Sequence, residues 1–203
     1  MNYRFELKYY IKREIFNFLL EDLMKFTMLD KFCDKKKFFY QVNSIYMDNH
    51  EMISYREKIA GKKNRTKIRF RNYSNSKNPK KIFNLELKIR SADKLKKIST
   101  KVKYNNIFSK KNNIKSNNFV IRIVSLMKKF HNYKKKLLIY YDRIALFDNK
   151  NKNLRLTIDS NLFVQRYISD SHFGMKIRFL PLNYKILEIK TDKSIPFWLH
   201  LII

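Results

Sequence analysis

The stretch Arg65-Thr66-Lys67-Ile68-Arg69-Phe70-Arg71 decides how this chain is read, because every second residue in it is cationic. Successive side chains of an extended strand point to opposite faces, so Thr66, Ile68 and Phe70 take one face and the cations take the other. Three shorter segments alternate in the same way, apolar-Glu-apolar-Lys: Phe5-Glu6-Leu7-Lys8, Leu85-Glu86-Leu87-Lys88 and Leu187-Glu188-Ile189-Lys190. Alternate residues of a strand stand ~7 Å apart, so adjacent cations of the basic comb repel by about 2 kcal/mol at an effective dielectric of 20 and by about 0.6 kcal/mol in bulk water. On an open, salt-screened face this repulsion is small. In an enclosed interior it requires carboxylates or a bound polyanion to compensate it. Both placements, a solvated sheet face and a charged interior, are open on pattern alone. Either way, charge this regular suits a multiply charged anion.

Composition narrows the setting. A chain of 203 residues with 44% hydrophobic content, 17 Phe and 13 Tyr can bury a real core, and with only 2 Gly and 3 Pro it has no flexible linker. We therefore expect one domain over residues 1–203. The formal charge of +29 attracts nucleic acid, anionic lipid or inorganic polyphosphate without choosing among them. Lys110 to Lys115 and Asn149 to Asn153 read as solvated loops. The lone cysteine, Cys33, excludes an internal disulfide framework and fits a reducing compartment. No apolar run has the length of a transmembrane helix and the first residues do not form a signal peptide, so the expected location is the cytoplasm or the cytoplasmic face of a membrane. His50, His131, His172 and His200 lack metal-ligand spacing, which disfavours zinc.

Periodicity predicts a strand over residues 2–10, an amphipathic helix over 12–29 with Ile15, Phe18, Leu19, Leu23 and Phe26 toward the core, and a strand over 38–47. A short helix over 52–59 ends at Gly61, the comb strand follows over 65–73, and Ser74 to Pro79 is a turn. Further strands are expected over 81–90 and 94–100, then a helix over 118–130. The last third reads as strands over 137–147, 154–159, 163–168, 176–180 and 184–190. Asp48 and Asp159 read as turn or strand-end residues, and Trp198 after Pro196 as a packing anchor. Many antiparallel strands, apolar on one side and charged on the other, with helices packed around them, describe an α+β fold built on a barrel of about eight strands with a polar tunnel.

Several stretches, taken in order, are similar to a known family: Tyr3-Arg4-Phe5-Glu6-Leu7-Lys8-Tyr9, Ser44-Ile45-Tyr46-Met47-Asp48, Tyr55 to Gly61, Arg65 to Tyr73, Leu85 to Lys88, Tyr141-Asp142-Arg143, Arg155 to Asp159, and Leu187 to Lys190 with Pro196-Phe197-Trp198. The chain resembles the catalytic domain of the vacuolar transporter chaperone (VTC) family and its bacterial polyphosphate polymerase relatives, within the CYTH-like triphosphate tunnel metalloenzymes. The resemblance implies an antiparallel tunnel whose basic interior holds triphosphate or polyphosphate beside a carboxylate-bound Mn²⁺ or Mg²⁺. Carried onto matching positions, Lys8, Arg69, Arg71, Lys88, Arg143 and Arg155 become phosphate ligands and Glu188 the metal ligand. Among these, Arg69, Arg71, Lys88 and Arg143 are the catalytic candidates. Lys58, Arg65, Lys67, Lys190 and Lys97 are further phosphate-binding candidates, with Lys96 competing for the place of Lys97. Glu6 and Glu86 are candidates to support the metal or to neutralise neighbouring cations.

The implied activity is an ATP-dependent phosphotransferase that extends a polyphosphate chain, with ATP and polyphosphate as partners and a membrane-protein partner conceivable. Spread negative charge is met by Arg forks, Lys ammoniums and a bridging metal without a protein nucleophile. Family members continue past the Pro-x-Trp region, whereas this sequence ends at Ile203, so a C-terminal closing element is expected to be missing. Two alternatives stand beside the polymerase: a triphosphate or polyphosphate hydrolase of the same superfamily, and a non-catalytic polyanion binder. No specific nucleic acid is expected, since the chain has no RNP signature and no paired Cys/His fingers, and Phe70 alternates away from the comb cations.

Overall fold

In a computed structural model the described residues are 5–74, 82–92, 94–103, 117–150, 153–169 and 172–203. The expected turn at Ser74 to Pro79 and the run Lys110 to Lys115 fall largely or wholly outside them, as does part of Asn149 to Asn153. Strands are β1 (Phe5–Lys12), β2 (Thr27–Leu29), β3 (Tyr40–Asp48), β4 (Arg65–Ser74), β5 (Ile82–Ser91), β6 (Lys94–Lys103), β7 (Lys134–Asp148), β8 (Arg155–Arg166), β9 (Ile177–Arg178) and β10 (Tyr184–Thr191). Helices are α1 (Arg13–Phe26), α2 (Ile53–Ile59), α3 (Phe119–His131) and α4 (Phe197–Ile202). The fold is α+β and mostly antiparallel. No described helix is long and apolar enough to cross a membrane.

Contacts divide the chain into two compact units that interleave in sequence. The first takes residues up to Val42, Tyr140–Phe163 and Ile177–Ile203. Its strands run in the order β1-β10-β8-β7, with β2 on β7 and β9 on β8. Leu23, Leu146, Leu154, Leu156, Leu187 and Leu199 are fully buried in its core. The second unit takes Asn43–Ile139 and Val164–Lys176, with strand order β3-β4-β5-β6. Its core gathers Ile68, Phe70, Leu85, Leu87 and Val124 with no exposed surface. Within the described pairings β1 pairs only with β10 and β6 only with β5, so each set ends in an outer strand.

Local sequence explains most element ends. Asn118 caps α3 by accepting from the Val120 and Ile121 amides at 3.1 and 3.3 Å, and Asn132 ends it in a left-handed turn with φ 52°. Gly61 closes α2 at φ +65°, a conformation glycine takes without a Cβ clash. Asp48 accepts from the Ser54 and Tyr55 amides at 3.0 and 3.1 Å, so its side chain secures the start of α2.

The structure corrects three expectations. On α1, Ile15, Phe18 and Phe26 are 54%, 72% and 41% exposed, while Phe16, Leu19, Leu20 and Leu23 face the core. The latter set follows i, i+3, i+4, i+7; Ile15 and Phe18 lie about 90° and 150° from its centre around the helix. The two strands expected over 154–159 and 163–168 are one strand, β8, because the polar break between them is absorbed at Asn161, which takes φ 50° inside the strand and donates from its amide to Asp142 at 2.8 Å. The strand expected over 176–180 shrinks to Ile177–Arg178. Trp198 does anchor α4, stacking on Phe26 at 4.7 Å between ring centroids.

Replacing fully buried Phe70 with Ala should lower stability by about 3–5 kcal/mol. Phe18→Ser should stay within about 0.5 kcal/mol. Denaturant midpoints of the two variants check both values.

Candidate functional site

In the second unit, burial of Ile68 and Phe70 against Leu85 and Leu87 turns the comb to the opposite face of β4. The register then lines up rows across three strands: Arg65–Arg90–Leu95, Lys67–Lys88–Lys97, Arg69–Glu86–Ser99 and Arg71–Asn84–Lys101. Like charges directly opposite one another are destabilising, and the second row consists of lysine throughout. Burial, and then Lys58 on α2 with Arg65 and Lys88, push the Lys67 ammonium below the usual lysine range.

Glu86 is the carboxylate within these rows and is only 3% exposed. Its Oε2 accepts from Arg69 Nε at 2.6 Å and its Oε1 lies 2.9 Å from Lys97 Nζ. Against its burial, Arg69, Lys97 and Arg71 hold the carboxyl below its ordinary range. Both oxygens of Glu86 are thus engaged by cations. Arg69 also donates from Nη1 to the Tyr46 hydroxyl at 3.1 Å, and buried Arg71 donates from Nε to Ser44 Oγ at 3.1 Å. These guanidiniums are held in fixed positions before any ligand arrives.

The first unit has a different charge pattern. Its rows are Glu6–Lys190–Arg155, Lys8–Glu188–Thr157 and Tyr10–Ile186–Asp159. Lys8 Nζ bridges Glu6 Oε1 at 2.8 Å and Glu188 Oε1 at 3.3 Å, and Lys190 Nζ lies 3.1 Å from Glu188 and 3.8 Å from Glu6. Arg143 of β7 forks onto Asp159 at 2.6 and 2.7 Å and reaches Glu188 Oε2 at 3.8 Å. Arg155 lies over the Phe147 ring, with Nη2 3.3 Å from Asp30 and 3.4 Å from the Tyr40 hydroxyl, while its buried Nε has no hydrogen-bond partner among the described residues. Although burial opposes it, a hydrogen bond with Glu6 together with Lys190 and Lys8 holds the Glu188 carboxyl far below the usual carboxylate range.

Glu6 and Glu188 come from adjacent strands and share two ammonium partners, which places two hard oxygen donors in one locality. That donor set fits Mg²⁺ or Mn²⁺, which are bound through one or two carboxylates completed by water and substrate phosphates. Among the described residues no cluster of three or more His, Cys, Asp or Glu side chains forms a closed protein cage. Glu86, held between Arg69 and Lys97, is placed to neutralise cations. Burial pushes the Cys33 thiol up, away from the reactive thiolate.

The structure groups Arg65, Lys67, Arg69, Arg71, Lys88 and Lys97 in one unit, and Lys8, Lys190, Arg143, Arg155, Glu6 and Glu188 in the other. Lys58 reaches the comb from α2 through its field on Lys67. Sequence reasoning missed Asp159 as the partner of Arg143, along with Tyr46, Ser44, Asp30 and Tyr40. Asp159 alone carried a signal, since it shares strand parity with Arg155 and Thr157.

The VTC domain profile matches residues 3–203. The chain belongs to the VTC domain family. Comparison with curated proteins finds no match. Among solved structures, a proposed adenylate cyclase from Bacillus halodurans has the same fold, at a TM-score of 0.52 and 13% identity over 93% of this VTC domain and 80% of its own chain. A Pyrococcus horikoshii protein aligns at a TM-score of 0.48 and 13% identity over 98% and 84% of the respective chains. A proposed adenylyl cyclase from Hippeastrum with a dominant triphosphatase activity aligns at 0.49 and 11% identity over 94% and 80%. The family match covers nearly the whole chain, and the likeness to the Bacillus halodurans structure is one of fold.

Two outcomes follow from the buried charges. Arg143→Ala strands Asp159 in a buried setting and should cost about 3–5 kcal/mol in a denaturation experiment. Glu86 and Glu188 have lower values folded than their ordinary 4.5, so their contribution to stability is complete above about pH 4.5 and is lost as pH falls below it. Thermal melts recorded downward from pH 6 should show that decline, and Glu188→Gln should make it shallower.

Proposed function

We propose that this VTC domain is a divalent-metal-dependent polyphosphate polymerase, moving the terminal phosphoryl of ATP onto the end of a polyphosphate chain. One observation carries the reading: the Lys67–Lys88–Lys97 row, flanked by the rows of Arg65 and Arg69 with that of Arg71 beyond, and with Glu86 as the carboxylate among them. A cationic lattice of this kind is relieved by a ligand with several negative charges spaced along it. A chain of phosphates has that form.

The residues divide the work by their chemistry. Arg69, locked by Glu86 and Tyr46, and Arg71, locked by Ser44, offer preorganised donors to phosphate oxygens, so little reorganisation is needed when charge spreads during transfer. Lys88 and Lys97 add ammoniums on an exposed stretch of the same face, Lys97 from beside Glu86, and Lys67, Arg65 and Lys58 extend its field. In the first unit Lys8, Lys190, Arg143 and Arg155 are the phosphate-binding candidates. Glu188 with Glu6 would hold the divalent cation, which when bound supplies charge neutralisation between phosphate oxygens. The terminal oxygen of the polyphosphate forms the new P–O bond as the bond between the β and γ phosphates of ATP breaks, and ADP leaves. No side chain needs to carry the phosphoryl group.

With ATP and Mn²⁺ the protein should form acid-stable polymer, and Arg69→Ala or Glu188→Gln should lower the rate at least ~100-fold, in the range of losing one preorganised charge contact. Release of orthophosphate in place of polymer would instead identify a hydrolase. Binding of polyphosphate that is insensitive to Arg69→Ala and falls steeply with salt would identify a diffuse polyanion binder.

A further inference from the structure

We infer that Tyr10 and Tyr184 form a stacking seat for the nucleobase of a nucleoside triphosphate donor. The inference rests on the ATP-dependent reading above and extends it from the phosphates to the base.

Lys8, Tyr10 and Lys12 share one face of β1 with Glu188, Ile186 and Tyr184 of β10, because antiparallel partners directly opposite each other share a face. Along that face the charged rows of Glu6 and Lys8 give way, one pleat further on, to Tyr10. The step from Lys8 to Tyr10 is ~7 Å. Tyr10 is 74% exposed, and Tyr184 meets it edge-on, with ring centroids 6.2 Å apart and planes at 78°. An edge-on partner fixes the orientation of a ring while leaving a flat face of it open to stacking. Lys12 lies opposite Tyr184, and Asp159, in the row of Tyr10, is taken by Arg143. No carboxylate of these rows is therefore left to repel an incoming nucleotide at the aromatic end.

A base stacked on Tyr10 directs its sugar and phosphates toward the neighbouring Lys8–Glu188 row, where ammonium groups and the carboxylate pair stand. An inorganic polyphosphate, which has no base, would use the charged rows and leave the tyrosines untouched. Every base has a π-face, so this seat separates nucleotides from bare phosphates far more than it separates one base from another.

The test titrates the full chain, in Mn²⁺ buffer, with ATP and separately with inorganic tripolyphosphate, for wild type, Tyr10→Ala and Tyr10→Phe. Tyr10→Ala should weaken ATP binding about tenfold, within the range of a single stacking contact, and leave tripolyphosphate binding unchanged. Tyr10→Phe should bind ATP like wild type. The tripolyphosphate titration also reports that each variant is folded. The seat is overturned by ATP affinity that is unchanged in Tyr10→Ala, by parallel loss of both ligands, or by a wild-type chain that does not bind ATP. A chain that shows the expected selective loss yet makes no polymer would confirm the seat and overturn the polymerase assignment.

Discussion

The burial of Ile68 and Phe70 against Leu85 and Leu87 is the constraint from which the charged face of the second unit follows. Strand parity allows no compromise: if those four side chains are in the core, then Lys67, Arg69, Arg71, Lys88 and Glu86 must share the other side. The apolar contacts are non-directional, but the register they select is discrete. Sliding β4 by one residue would bring the comb into the core and expose Phe70. The hydrophobic effect thus holds together a set of cations that would separate if left to electrostatics alone.

The two units treat charge in opposite ways. In the first, Glu6, Glu188, Asp159 and Asp30 meet Lys8, Lys190, Arg143 and Arg155 in close pairs, an arrangement stable without a guest. In the second, Glu86 stands alone among the rows and is shared by Arg69 and Lys97, while burial and neighbouring cations push the Lys67 ammonium below its ordinary range. A balanced cluster containing two adjacent carboxylates suits a small cation, and an unbalanced lattice suits a long anion. The same Glu-x-Lys strand pattern thus yields a balanced cluster in one unit and an unbalanced lattice in the other.

Much of this was legible because it depends on period and parity. The comb, the Glu-x-Lys strands and the Gly61 stop are local patterns, and each holds in the structure. What escaped depends on contacts remote in sequence. Arg69 and Tyr46, and Arg143 and Asp159, meet through strand register, and Arg155 reaches Asp30 just past the end of β2, none of which a short window reveals. The misread stripe on α1 has another origin: Ile15 and Phe18 are apolar but lie off the 16-19-20-23 line, so counting apolar residues without their angle assigned them to the core. The split of β8 failed because an Asn in a left-handed conformation can sit inside a strand as well as end one.

Glu86 shows why a single carboxylate belongs in the lattice. With none, Arg69 would lose the bond that fixes its guanidinium and would repel Arg71 and Lys67 without compensation. With several, the cations would pair internally and a phosphate chain would have to displace them, giving up one set of ion pairs for another with little net gain. One buried carboxylate between Arg69 and Lys97 gives orientation while leaving the field positive. The same logic explains the donors on Arg71 and Arg69 from the other side: Ser44 and Tyr46 are neutral acceptors, so they aim guanidinium groups without spending their charge. Orientation by neutral oxygens and attraction by the lysine row are separable tasks, and the second unit assigns them to different residues.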